Sequence, residues 1–141
     1  MRFLTAALSG TMLVLAAGGP LQAQTPAAAC RGKQQPRLIA ELMFGRNIGG
    51  HVGVSDSAWM RFLAREVTPR FPDGLTVSDA VGQWRDPSRA RIVREPSKRM
   101  EIVLPGKDDD QNRLAAIVNA YKSRFRQQSV LVIVRSGCVS F

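Results

Sequence analysis

The sequence contains a single histidine, His51, among its 141 residues. Zinc centres usually take several histidine and cysteine ligands, so a histidine-based metal site is excluded. A Ser-His-Asp triad would have to use His51, and no Gly-x-Ser-x-Gly motif accompanies it. The acidic run Asp108-Asp109-Asp110 matches no EF-hand loop and is typical of a helix start. We therefore predict no metal, no cofactor and no nucleophilic catalysis.

Fingerprints of nucleotide binding are also missing. The glycine-rich segment from Gly45 to Gly53 follows a predicted strand and precedes a predicted helix, and it contains Arg46 and His51. A loop in that position can hold an anion on free backbone N–H groups. However, it has neither the Walker pattern nor Gly-x-Gly-x-x-Gly. We favour the alternative, a plain connection between the two elements.

Aromatic residues are scarce, at 6% of the chain, and basic residues outnumber acidic ones by 20 to 11. Only Trp84 accompanies the densest basic segment, so no stacking platform for single-stranded nucleic acid is predicted. The formal net charge of +9 attracts anions. This basic segment either binds envelope polyanions or forms a solvated basic surface. We favour the solvated surface. Its cations are Arg85, Arg89, Arg91, Arg94, Lys98 and Arg99.

A long apolar run occurs only at the N-terminus. Met1-Arg2 is a short basic start, residues 3–19 are mostly apolar, and Leu21-Gln22-Ala23 is typical of a cleavage site. We predict a cleavable signal peptide over residues 1–23, because a retained anchor needs a span of about 20 apolar residues. The product is then periplasmic or secreted, with residues 24–36 as a flexible tether and no transmembrane span in the mature chain.

Only two cysteines are present, Cys30 and Cys138. In an oxidising compartment we expect them to form a disulfide. The alternative is a lipoprotein anchor at Cys30, since Ala27-Ala28-Ala29 precedes it. The usual leucine three positions before such a cysteine is replaced by Ala27, so we favour the disulfide.

Hydrophobic spacing predicts the order β-α-β-β-α-β. Strands are expected over residues 38–46, 75–84, 98–104 and 129–135, with a short extended segment over residues 91–95 and helices starting near Ser55 and Asp108. The apolar stripe of the first helix includes Trp59 and Phe62, and that of the second includes Tyr121 and Phe125. Both stripes are expected to cover the strand face that carries Leu42 and Phe44. This order indicates one α+β domain over residues 37–141, a ferredoxin-like sandwich whose four-stranded antiparallel sheet has both helices on one face. The strand 38–46 is expected at the centre of the sheet, and the Val-rich last strand is expected in the interior.

With both helices on one face, the opposite face of the sheet stays open. Its residues are too apolar for plain solvent and too charged for a core: Ile39, Glu41, Met43, Arg99, Glu101 and Val103. Glu41 is expected to approach Arg99 or Glu101, either to bind a ligand or as part of a solvated salt-bridge ladder. The predicted ligand-binding residues are Glu41, Arg46, Trp84, Arg85, Arg94, Lys98, Arg99 and Glu101.

Several segments resemble domain of unknown function 3574, an uncharacterised family of small exported bacterial proteins. The resemblance covers nearly all of the predicted mature chain, and it implies export and a single domain without supplying an activity. The segments are residues 41–46, 67–76 and 82–85, Arg94-Glu95, Ser97-Lys98, Tyr121-Lys122, Phe125 and residues 138–141.

Three hypotheses of function follow. The first is a noncatalytic envelope module that uses the open sheet face to form a homodimer or to bind a small acidic ligand. The second is an enzyme of the dimeric ferredoxin-like type, in which Glu41, Glu101 and Arg99 line a pocket and the two carboxylates act as general acid and base. The third is polyanion binding by the arginine-rich hairpin between Arg85 and Arg99. Specific recognition of nucleic acid is not predicted.

Overall fold

The computed structural model describes residues 30–86 and 90–141. Six strands and two helices make up this part of the chain, and a π-helical turn, Leu63–Val67, extends the first helix. The elements are β1 (Gln35–Gly45), β2 (Asn47–Ile48), β3 (His51–Val52), α1 (Asp56–Phe62), β4 (Thr76–Asp86), β5 (Arg91–Val103), α2 (Asp110–Phe125) and β6 (Leu131–Val139).

Four of the strands form one antiparallel sheet in the order β4-β5-β1-β6, while β2 and β3 form a separate small hairpin. The alternation of β1 places Ala40, Leu42 and Phe44 on one face, where they belong to the buried core. Residues of both helices belong to the same core. The ferredoxin-like sandwich with both helices on one face is confirmed, and β1 lies inside the sheet as predicted.

Aromatic rings occupy the centre of the core. Phe44 of β1 contacts the rings of Trp59, Phe62 and Tyr121, with centroid distances of 5.1, 6.0 and 4.7 Å. The Tyr121 hydroxyl donates a hydrogen bond of 2.8 Å to the Gly45 carbonyl, which satisfies its polar end. Burial raises the pKa of Tyr121, so its hydroxyl stays protonated. The apolar stripes predicted on the two helices therefore meet β1 through their aromatic residues.

Hydrogen bonds fix the start of each helix. Ser55 is the N-cap of α1, and its hydroxyl accepts from the Ala58 N–H at 3.2 Å. The predicted start of α2 at Asp108 is two residues early, because α2 begins at Asp110. One carboxylate oxygen of Asp110 accepts from the backbone N–H groups of Gly106 and Lys107, at 2.8 and 2.9 Å. The acidic run thus closes the turn before the helix.

β4 and β5 form a hairpin that extends past the rest of the sheet. We predicted a separate extended segment over residues 91–95 and a strand over 98–104, whereas β5 runs without interruption from Arg91 to Val103. β1 pairs with β5 only from Ser97 onward. Residues 81–86 and 91–96 therefore form a ladder with each other alone, apart from the Pro96 carbonyl, which also accepts from the Arg46 N–H at 3.0 Å. We call these two segments the arm.

The position of the last strand differs from our prediction. β6 was expected in the interior because it is rich in valine, but it lies at an edge and pairs with β1. Hydrophobic residues alone do not distinguish an interior strand from an edge strand that is apolar on both faces. β1 also starts earlier than expected, at Gln35, so Gln35 and Pro36 belong to a strand rather than to the tether.

A disulfide between Cys30 and Cys138 joins the start of the described chain to β6, with a Cα–Cα distance of 5.4 Å. The predicted disulfide is present, and the Cys30 sulfur is therefore not available for a lipid. The predicted signal peptide, residues 1–23, and the tether up to residue 29 lie outside the described residues. In the described ranges, neither helix combines the length and hydropathy that crossing a membrane requires.

Candidate functional site: the open face of the sheet

The open face is the side of the sheet that the helices do not cover. Glu41 of β1 lies in register with Glu101 of β5 and with Ile133 of β6. These residues share a face because directly opposed residues in neighbouring strands point the same way. All six residues predicted for this face lie on it, and most of them are half-buried: Ile39, Glu41, Met43, Arg99, Glu101 and Val103.

An ion pair between Glu41 and Arg99 lies at the centre of the open face. Arg99 donates two hydrogen bonds to Glu41, from Nε to Oε1 at 2.9 Å and from Nη2 to Oε2 at 3.1 Å. This two-point geometry is the strongest arrangement for an arginine and a carboxylate. The Glu41 side chain is only 14% exposed, against 42% for Arg99. The pair is therefore sheltered by the protein on the carboxylate side and open on the guanidinium side.

Two more residues extend this pair into a network. Glu101 lies 3.6 Å from Arg99, and Arg135 of β6 donates to the same Glu101 oxygen at 3.3 Å. The hydrogen bond from Arg99 holds the pKa of Glu41 below its usual value, and the same contact raises the pKa of Arg99. We call Glu41, Arg99, Glu101 and Arg135 the open-face network.

A cleft of about 660 Å³ opens beside the network at the end of the sheet where β5 finishes and β4 begins. Glu101 belongs to both, so the network meets the cleft at this residue. Polar lining comes from Arg37, Asp73, Thr76 and Glu101, and apolar lining comes from Leu75, Val103, Leu104, Pro105 and Phe141. The volume lies within the range of small-molecule sites, and the lining offers both polar and apolar contacts.

Lys98 and Arg46 lie elsewhere, on the side of the sheet that carries the helices. Lys98 is buried in register with Phe44, contacts Asp79, and binds the carboxylate of Asp56 at 3.0 Å. Arg46 binds the same Asp56 oxygen at 3.2 Å. Our expectation that Lys98 stands beside the open-face residues is wrong, because one step along a strand reverses the face.

The contacts around Lys98 and Asp56 also favour the charged form of both side chains. The hydrogen bond to Asp79, followed by the one to Asp56, raises the pKa of Lys98 despite its burial. The hydrogen bond from Lys98 and the charge of Arg46 lower the pKa of Asp56. A buried lysine that stays charged through carboxylate partners anchors α1 to the sheet. The arrangement is explained by structure, and no ligand is needed to account for it.

Trp84, Arg85 and Arg94 lie on the arm. The Trp84 indole N–H donates to Glu95 at 3.0 Å, and Arg94 donates to Gln83 at 2.8 Å. Arg85 is exposed. The eight predicted residues are thus divided among three places, and only Glu41, Arg99 and Glu101 form one site.

The glycine-rich segment is a small hairpin, β2 and β3, that turns at Gly49 and Gly50 with positive φ angles of 64° and 93°. Arg46, which precedes it, donates to the Val54 carbonyl at 2.8 Å and is occupied by the start of α1. These contacts fit the prediction that the glycine-rich segment is a connection between β1 and α1. Across residues 30–86 and 90–141, no group of three histidine, cysteine or acidic side chains is placed to hold a metal ion.

Arg135 and the cleft residue Arg37 were missed by the sequence analysis. Arg135 lies in register with Ile39 and Arg37 with Gly137, so both follow from the pairing of β1 with β6. The two-residue spacing from Ile133 to Arg135 was a usable signal once β6 was placed beside β1. The remaining cleft residues come from loops and from the C-terminus, and their position depends on the whole fold.

Taken together, the sheet order, the two helices on one face and the cleft on the other define a small ferredoxin-like α+β domain. The chain belongs to the family described as protein of unknown function DUF3574, whose model matches residues 39–141. No curated protein matches the chain.

Solved structures of similar fold include a phage SAM lyase in complex with S-methyl-5'-thioadenosine. That comparison has a TM-score of 0.58 and 17% identity, and it covers 82% of this chain and 97% of the lyase. A phage SAM lyase in the apo state has a TM-score of 0.54 and 16% identity, and the comparison covers 75% of this chain and 92% of the lyase. At this identity the two show the shared fold alone. CutA from Synechococcus elongatus has a TM-score of 0.49 and 11% identity, and the comparison covers 74% of this chain and 80% of CutA.

Proposed function

We propose that this protein is a noncatalytic small-ligand-binding module of the bacterial envelope, with its site on the open face of the sheet. The observation that carries the proposal is the Glu41–Arg99 ion pair on the face without helices, connected through Glu101 to the cleft. Charged groups that are partly withdrawn from water beside a cleft of mixed polar and apolar lining favour binding of a polar molecule. The Cys30–Cys138 disulfide supports an oxidising compartment, periplasmic or extracellular.

The lining of the cleft indicates the class of ligand. Arg37 supplies a cation with five donors, which suits a carboxylate or phosphate. Leu75, Val103 and Pro105 supply an apolar wall for the body of the molecule. The formal net charge of +9 favours the approach of anions. We therefore propose a compact, partly apolar acid as the ligand.

Binding fits the open-face network better than proton transfer does. The hydrogen bond from Arg99 lowers the pKa of Glu41, so this carboxylate carries no proton to donate at neutral pH. A general acid needs the opposite shift, as burial without a cationic partner provides. Glu41 also does not line the cleft. The enzyme hypothesis remains a prediction that requires a different proton donor.

The proposal predicts a loss of affinity when Arg37 is neutralised. The purified protein is titrated by calorimetry with small carboxylates, phosphates and nucleosides, including S-methyl-5'-thioadenosine. For an acid that binds, Arg37→Gln should weaken binding roughly 10- to 100-fold, the cost of one hydrogen bond to a charged group. Arg91→Gln, an equal charge change at an exposed position of the arm, is the control and should leave binding unchanged.

Two results would contradict the proposal. One is the absence of any binder in the panel at millimolar concentration. The other is an equal loss in Arg37→Gln and Arg91→Gln, because that pattern indicates attraction to the net charge instead of a site.

A second candidate function, polyanion binding, is favoured by the exposed arginines of the arm. Arg85, Arg91 and Arg94 are all exposed there, on a hairpin that extends past the sheet. Arg89 lies outside the described residues, Lys98 is buried, and Arg99 belongs to the open-face network. The basic segment predicted from the sequence is therefore reduced to its outer part.

Retention on heparin tests this candidate. We expect the double variant Arg85→Gln/Arg94→Gln to elute at clearly lower salt than the unmodified protein, since fewer counterions are released on binding. The double variant Arg61→Gln/Arg65→Gln removes the same charge from exposed positions of α1 and its π-helical extension. If both double variants shift elution equally, the arm has no special role.

A further inference from the structure

β6 exposes apolar residues on both of its faces. It pairs with β1 along one side, and within residues 30–86 and 90–141 it has no strand on its other side. Its first four residues, Leu131 to Val134, are 37% to 55% exposed. Alternate residues of a strand point to opposite faces, so both faces are apolar and accessible here. Such an edge is a template for pairing with another strand.

The opposite edge of the sheet, β4, is built differently. Its exposed apolar residues, Val81 and Trp84, stand among the polar residues Asp79, Gln83 and Arg85. Charged residues along an edge oppose pairing with a second strand. From Leu131 to Val134, β6 has no charge, proline or glycine. The charge that follows, on Arg135, is engaged by Glu101 at 3.3 Å.

We propose that a second copy of this chain occupies the free edge of β6. Two β6 strands would pair antiparallel about a two-fold axis perpendicular to the sheet, so that the two sheets become one sheet of eight strands. An axis at Val132 sets Leu131 of one copy opposite Ile133 of the other. The helices of both copies then lie on the same side of the joined sheet, because paired residues share a face.

The charge distribution limits where a second copy can bind, and it favours the free edge of β6. Two chains with a formal net charge of +9 repel each other over most of their surfaces. The uncharged stretch Leu131 to Val134 lets them approach at the least cost. In the pairing centred on Val132, the two Arg135 side chains are six strand positions apart, roughly 20 Å. That separation exceeds the screening length of about 8 Å at physiological ionic strength.

The dimer lies beyond the proposed function and does not depend on it. Ile133 stands in register with Glu41, so the interface would run beside the open-face network without using its ion pairs. Loss of the dimer and loss of ligand binding can therefore be measured separately.

Sedimentation equilibrium of the purified protein tests the proposal. We expect the unmodified protein to have twice the mass of one chain at micromolar concentration. Val132→Lys places two like charges against each other across the axis and should weaken the dimer roughly 100-fold. Val81→Lys is the matched control, since it introduces the same charge at an 80% exposed valine on the other edge strand. This control should remain dimeric.

Hydrogen exchange separates loss of pairing from loss of fold. In Val132→Lys, amides of β6 should exchange faster while amides of β1 stay protected, because β1 remains paired with β5. A monomeric unmodified protein, a trimer, or a Val132→Lys variant that stays dimeric would overturn the proposal. Equal dissociation by Val81→Lys would also overturn it, by assigning contact to the β4 edge.

Discussion

Replacing Phe62 with alanine should lower the free energy of unfolding by about 3–5 kcal/mol, as measured by urea denaturation. Phe62 is fully buried at the end of α1. Its ring contacts Trp59 at 5.6 Å and Tyr121 at 5.1 Å between centroids, and Phe44 and Phe125 at 6.0 Å each. Removing it leaves a cavity among aromatic rings from three elements, which cannot collapse to fill the space.

Met60→Ala provides the comparison, because Met60 lies in the same helix and is 60% exposed. Alanine has the higher helix propensity, so we expect a change within about 0.5 kcal/mol. A loss for Phe62→Ala no larger than that for Met60→Ala would show that the core is not organised around the aromatic cluster. The two variants together test the placement of both helices on one face of the sheet.

The double variant Cys30→Ser/Cys138→Ser should lose about 4–5 kcal/mol of stability in the chain-entropy account of disulfides. The disulfide connects residues 108 positions apart, so it restricts the unfolded chain over most of its length. This loss is a large part of the stability of a small domain, which is about 5–15 kcal/mol. Urea denaturation without reductant measures it directly.

Two internal controls accompany this prediction. Each single variant, Cys30→Ser or Cys138→Ser, should lose as much stability as the double variant, because either change breaks the same bond. Reductant should destabilise the unmodified protein and leave the double variant unaffected. A double variant as stable as the unmodified protein would show that folding does not rely on this link.

The order of elements and the sheet could be predicted because strand and helix periods are local properties. Alternation in β1 identified both its core face, with Leu42 and Phe44, and its open face, with Glu41. The aromatic spacing from Trp59 to Phe62 identified the buried stripe of α1. These patterns depend on neighbours within one element, and the structure confirms them.

The candidate site was only partly predictable, because it depends on register and on edges. Glu41, Arg99 and Glu101 follow from the pairing of two neighbouring strands. Lys98 was misplaced by grouping residues by sequence proximity, although adjacent strand residues face opposite ways. The exposure of β6 could not be inferred from its valines, since an interior strand and an exposed edge strand can have the same composition.

The position of β1 has a consequence for how the molecule is made. β1 is near the start of the described chain, and its partner β6 is the last element to be synthesised. Until β6 emerges, one side of the innermost strand has no neighbour, and the bare backbone is open to wrong partners. Pairing across nearly the whole length of the chain also closes slowly. A chain with this topology therefore exposes one unpaired side of β1 until β6 pairs with it.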